Sequence, residues 1–143
     1  MKKRGLCISF LRLNPPEEQL IKKSEEVLGT PWVYTGITPE KGFDCSGFVL
    51  WTFGQFGYEF PYKTKLLAKS GKPVKPAKIK PADLVCFGSS EYNPSSLIHV
   101  GLVYSVTPDS VMMIHCGTSN GVSIVPLNSG YWSERVFFIL EVF

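Results

Sequence analysis

Three side chains in this sequence have the chemistry and the local setting for attack on an amide carbonyl: Cys45, His99 and His115. Cys45 stands in "KGFDCSGFVLW", residues 41–51, where a glycine turn gives way to an apolar run. Asp44 is placed to cap that run as a helix. Cys45 then falls in the first turn, where unpaired amides and the helix dipole favour a thiolate. The same amides can hold the oxygen of a tetrahedral intermediate. Ser46 and Gly47 are small and leave room for a substrate backbone. The other reading of the pattern is an inert thiol at the start of a buried helix.

His99 and His115 are the two histidines of the chain, and both fall in segments that read as strands. Pairing His99 opposite His115 centres their hairpin on Thr107, just before Pro108, and turns both rings to one side. A slip of one residue would send one ring to the wrong face. In a useful register one imidazole takes the thiol proton and the other fixes its tautomer. Two unrelated sheet histidines are the alternative.

The elements that must hold these groups follow from periodicity. After Pro15-Pro16, residues 17–29 place Leu20, Ser24 and Val27, with Ile21 and Leu28, at helical spacing. Glu17 and Glu18 suit the first turn, and Gly29 closes the segment. Residues 30–36 form a ring-rich loop. The helix that starts at Cys45 puts Phe48, Trp51, Thr52 and Phe56 on one face, widened by Val49 and Phe53, and Gly54 and Gly57 end it early. Residues 59–82 read as an irregular, proline-marked crossover with a turn of helix over 64–68. Five strands follow, over 84–87, 98–104, 111–116, 122–125 and 135–142. Helices first and an antiparallel meander after them make an α+β domain. No linker or repeat interrupts it, so one domain is expected over 15–143, preceded by an arm or strand over 1–14.

Bulk properties fit this reading. A chain of 143 residues, 44% hydrophobic and 19% charged, is of ordinary globular composition and suits one core. The net charge of +3 comes without basic blocks alternating with aromatics, so a nucleic-acid partner is not expected. Cys7, Cys45, Cys86 and Cys116 form no CxxC pair, and no metal or cofactor is expected. Cys86, flanked by Val85 and Phe87, reads as a small core residue; Cys116 should point away from the face of His115. The start "MKKRGLCISFL" has two readings, a weak export signal or a structural arm. No run approaches the length of a membrane span.

The ordered stretches "LGTPWVYTG", "GFDCSGFVLWTF", "PADLVCF", "HVGLVY", "MIHCGTSNGVSI" and "YWSERV" together resemble the NlpC/P60 family of papain-like cysteine peptidases, which cut cell-wall peptides. The resemblance covers most of the chain after residue 20. It implies a papain-like α+β fold with Cys45 as nucleophile, His99 as general base and acid, and His115 as the polar orienter. It implies further that Tyr34 supports the cleft near the oxyanion region, and that Asp44 and Ser46 help line the substrate site. The reaction implied is hydrolysis of an amide in peptidoglycan stem peptides, usually between D-γ-glutamyl and a diamino acid. Asp44 has two readings, as a ligand for a free substrate amine or as a helix cap only.

The sequence also departs from the family pattern. Where a Pro-Arg pair is common it has "FPYKT", so that Lys63 replaces the arginine's charge but not its two-pronged geometry. The connection "SVTPDS" is long and bears a proline. Tyr104, Tyr131 and Trp132 read either as a cleft wall that grips substrate or as packing at the end of the sheet. Competing functions are a papain-like acyltransferase or lipid hydrolase, a peptide-binding module without catalysis, and a metal site at the same three residues. A monomer acting on peptidoglycan or muropeptides is expected, in the cell envelope or outside the cell, with cytoplasmic or phage-associated roles as alternatives.

Overall fold

A computed structural model describes residues 16–60, 62, 71–88 and 98–142, the side chains of 136–138 excepted. The expected arm over 1–14, the turn of helix over 64–68, Lys63 and Cys7 lie outside the described residues.

Helix α1 (Pro16–Glu25) has Glu17 and Glu18 in its first turn and Lys22 and Lys23 in its last, each pair at the favourable end of the dipole. It buries Leu20 and Ser24. Leu28, expected on the same face, is 46% exposed, because the helix has ended and the chain turns at Gly29. That turn is stitched to the sheet: Gly29 N–H donates to Val122 O, and Val122 N–H to Thr30 O, both at 2.9 Å. A short ribbon of β1 (Ile37–Thr38) and β2 (Gly42–Phe43) follows.

Helix α2 (Cys45–Gly54) starts at the cysteine and stops at the glycine. It buries Ser46, Gly47, Phe48, Val49, Thr52 and Phe53, as its near-continuous apolar sequence requires. Phe56, assigned to the same face, lies past the helix end and is 38% exposed.

The main sheet has six strands rather than five: β3 (Lys72–Pro73), β4 (Leu84–Phe87), β5 (His99–Val106), β6 (Val111–Gly117), β7 (Gly121–Pro126) and β8 (Val136–Glu141). Its order is β3-β8-β4-β5-β6-β7. Strands β4 to β7 form the expected antiparallel meander, but β8 returns to the other side of β4. Strand alternation divides the core in two. Leu84, Cys86, Val100, Leu102, Ile114, Cys116 and Leu140 pack with residues of both helices. Val85, Phe87, Val103, Met113 and Ile139 form a second cluster with Leu127 and Trp132.

Candidate active site

The β5–β6 register brings the two histidines together by a route other than the expected one. Leu102 faces Ile114 and Val103 faces Met113, so the pairing is offset by two residues from His99 opposite His115. An even offset preserves the face, and the rings meet diagonally instead of directly. His99 Nε2 lies 2.7 Å from His115 Nδ1, a hydrogen bond between residues only 9% and 4% exposed. Glycines clear the space. A Cβ on Gly101 would lie 2.7 Å from Met113 Sδ and 3.1 Å from His115 Cβ, and one on Gly117 would lie 3.0 Å from His115 Cε1.

Burial holds both rings below the ordinary histidine range, with His115 adding to the effect on His99. Both are therefore neutral at neutral pH, and one proton is shared along the 2.7 Å contact. The indole of Trp132 stacks on His99 at 4.8 Å and 22°, and meets Phe87 and His115 edge to face. Trp132 thus stands in both of the places that the sequence readings named. It closes the second core cluster, and it lines the cleft.

Cys45 comes to the same cleft from the opposite side of the sheet. Helix α2 packs along β5 and β6, and its first turn reaches the end of the sheet where β5 begins and β6 ends. Two contacts hold that turn. Asp44 Oδ1 accepts the Gly47 N–H at 2.7 Å, the expected cap. Cys116 Sγ, pointing away from the His115 face as expected, donates to Phe43 O at 3.2 Å. This bond ties the residues before the cysteine to the strand that carries His115. The thiols of Cys86 and Cys116 are buried and both are pushed up to about 12, mainly by desolvation, so neither is poised for attack.

Loop 31–36 lies against the same turn. Asp44 N–H donates to Gly36 O at 3.0 Å, and a Cβ on Gly47 would overlap that same carbonyl oxygen. The close approach explains the small residue two places after Cys45. Tyr34, 79% exposed, sits on the rim, and Ser46, 4% exposed, lies deeper.

The cleft has a volume of about 1040 Å³ and gathers Tyr34, Asp44, Cys45, Ser46, His99, His115, Tyr131 and Trp132 from the residues singled out in the sequence. Tyr104 is not among them: it bonds Glu25 of α1 through its hydroxyl, on another surface. Three lining features escaped the sequence reading. Tyr62 donates to Asp44 Oδ2, and burial together with that bond raises its phenol. The turn Thr118–Ser119–Asn120 adds polar groups. Arg135 sets its guanidinium 3.8 Å over the Tyr131 ring. The phrase "YWSERV" held the only advance signal, since an arginine four residues after a tyrosine reaches back over one turn.

The chain has relatives among known proteins. The NlpC/P60 family profile matches residues 29–141. A gamma-DL-glutamyl hydrolase of Bacillus subtilis is 32% identical over 124 residues, 85% of this chain and 28% of that protein. A murein DD-endopeptidase/LD-carboxypeptidase of Escherichia coli is 38% identical over 101 residues, 70% of this chain and 50% of that protein. An NlpC/P60 family protein of Bacillus cereus superposes with a TM-score of 0.78 at 26% identity, over 90% of this chain and 40% of its own. The chain spans half or less of the length of these three proteins. With the profile matched over most of its length and the fold shared, the chain belongs to the NlpC/P60 family.

Proposed function

We propose that the protein is a cysteine endopeptidase that hydrolyses the amide between D-γ-glutamyl and a diamino acid in peptidoglycan stem peptides. The observation that carries this reading is the buried His99–His115 pair opening onto the cleft that also holds the cysteine at the start of α2. The named activities of the two relatives, a gamma-DL-glutamyl hydrolase and a murein DD-endopeptidase/LD-carboxypeptidase, support amide hydrolysis in wall peptides, and the first of them supports the γ-glutamyl bond.

The His99–His115 contact supports one set of proton positions. His99 Nε2 is engaged with His115, so Nδ1 is the nitrogen left for the thiol. For Nδ1 to accept a proton, Nε2–H must donate to His115 Nδ1, and His115 therefore fixes the tautomer. His99 takes the proton of Cys45 as sulfur attacks the glutamyl carbonyl. Amides of the first turn of α2 hold the oxyanion. The imidazolium then protonates the leaving amine, and the C–N bond breaks to leave a thioester. Water, deprotonated by His99, attacks the thioester; acid is released and the thiol regains its proton. Thr35, Ser46, Thr118, Ser119, Asn120 and Ser123 give the ring-walled cleft donors and acceptors for a peptide backbone. A site of action in the cell envelope follows from the substrate.

The test is product analysis. Wild-type protein incubated with defined muropeptides should yield fragments cut at the γ-glutamyl bond by mass spectrometry, and C45A should yield none. Equal product from both would overturn the mechanism.

A further inference from the structure

Apart from the histidines, the described residues that line the cleft include one acid and one base, Asp44 and Arg135. They lie on opposite sides of the reacting groups. Asp44 is bonded to the residue after it, Cys45, and is occupied by the Gly47 amide and the Tyr62 hydroxyl. Arg135 is reached from the other reactive group through a row of rings. Trp132 stacks on His99 at 4.8 Å, Tyr131 meets Trp132 edge-on at 4.8 Å, and the Arg135 guanidinium lies 3.8 Å over Tyr131. One guanidinium nitrogen, Nη1, donates to Tyr131 O at 2.7 Å, which fixes the plane of the group. Among the described residues no carboxylate lies within ion-pair distance of it. A planar cation held on an aromatic face, with donors to spare, is suited to a two-pronged grip on a carboxylate.

The reaction itself says which end of the substrate this cation meets. The acyl carbon must lie at Cys45, and the leaving nitrogen must lie at His99, which protonates it. The residue that leaves therefore extends past His99 toward Trp132, Tyr131 and Arg135. We propose that Arg135 reads a free carboxylate on the leaving diamino acid, so that the cleft selects a diamino acid whose side chain ends in a carboxylate over one that ends in an amine alone or an amide. This inference rests on the peptidase reading and adds the leaving-side specificity to it.

The test uses three synthetic stem peptides: one with all carboxylates free, one amidated on the side-chain carboxylate of the diamino acid, and one amidated on the glutamyl α-carboxylate. Wild type should cleave the first about tenfold to a hundredfold better than the second, in kcat/KM. R135Q should remove that preference, and R135K, which keeps the charge without the fork, should keep part of it. Thermal melting of each variant separates misfolding from lost recognition. An equal loss of R135Q on both peptides would overturn the proposal and leave Arg135 as a support for Tyr131. A preference that follows the glutamyl carboxylate instead would overturn the leaving-side assignment. If wild type cleaves none of the peptides, the peptidase reading fails, and calorimetric binding of the same peptides decides about Arg135. A preference for the free carboxylate that vanishes in R135Q supports it, and equal binding to all three sinks it.

Discussion

His115 touches no substrate in the proposed reaction, yet its Nδ1 decides which nitrogen of His99 is free. H115A should therefore lower kcat by about 10²- to 10⁴-fold, as loss of an oriented base does, with a smaller change in KM. An H115A enzyme with unchanged kcat would show that the pair is only structural. Tyr62 acts on the other flank. Y62F removes one of the two bonds to Asp44 and should cost about 1 kcal/mol in urea unfolding while the Gly47 cap remains. An unchanged urea midpoint would show that the hydroxyl adds nothing to the fold. Cys45, His99 and His115 were legible in sequence because their chemistry is carried by residue type, and because a cap and a first turn are local signals. Tyr62 and Arg135 were not. Tyr62 comes to Asp44 from 18 residues away, and Arg135 faces the cleft because β8 folds back beside β4. The first has no local signature, and the second has only the four-residue spacing of Tyr131 and Arg135.

Elements place these residues through close backbone approach. Loop 31–36 can lie on the start of α2 because position 47 has no side chain. G47A should destabilise by more than about 2 kcal/mol, the scale of an overpacked core, despite alanine's better helix propensity. A measured stabilisation by chemical denaturation would contradict the approach. The long elements were readable because each has a period: α2 in its apolar run, β4 to β7 in their alternation. The two-residue strands β1, β2 and β3 have none: β1 and β2 pair with each other, and β3 lies along the longer β8. Centring the hairpin on Thr107 puts the register at the histidines two residues off, because Pro108 and Asp109 lie at the centre of the turn and the pairing shifts again between Val103 and Ser105. The turn actually spans 107–110, closed by Thr107 N–H donating to Ser110 O at 2.8 Å. The error was harmless to the site, since two residues is one full period of a strand.

At the scale of the molecule, two buried neutral histidines tie stability to pH. Unfolded, each titrates near 6.5; folded, each is held lower by burial. Below 6.5 the unfolded chain binds more protons, so stability is fully present above that pH and is lost as pH falls toward the folded values. The slope approaches about 1.4 kcal/mol per pH unit for each histidine. Urea titrations from pH 7 to pH 4 should show it, and H115Q should flatten it by about half. A curve flat from pH 7 to pH 5 would mean that the rings are not buried in neutral form. The meander itself has one interruption, between Val103 and Ser105, after which Ser105 faces Met112 and Val106 faces Val111. That irregularity absorbs a change in strand pairing before it reaches the histidines. The outer hairpin is thereby insulated from the reactive end, and an epitope tag spliced beside Pro108 should leave peptide turnover as it was.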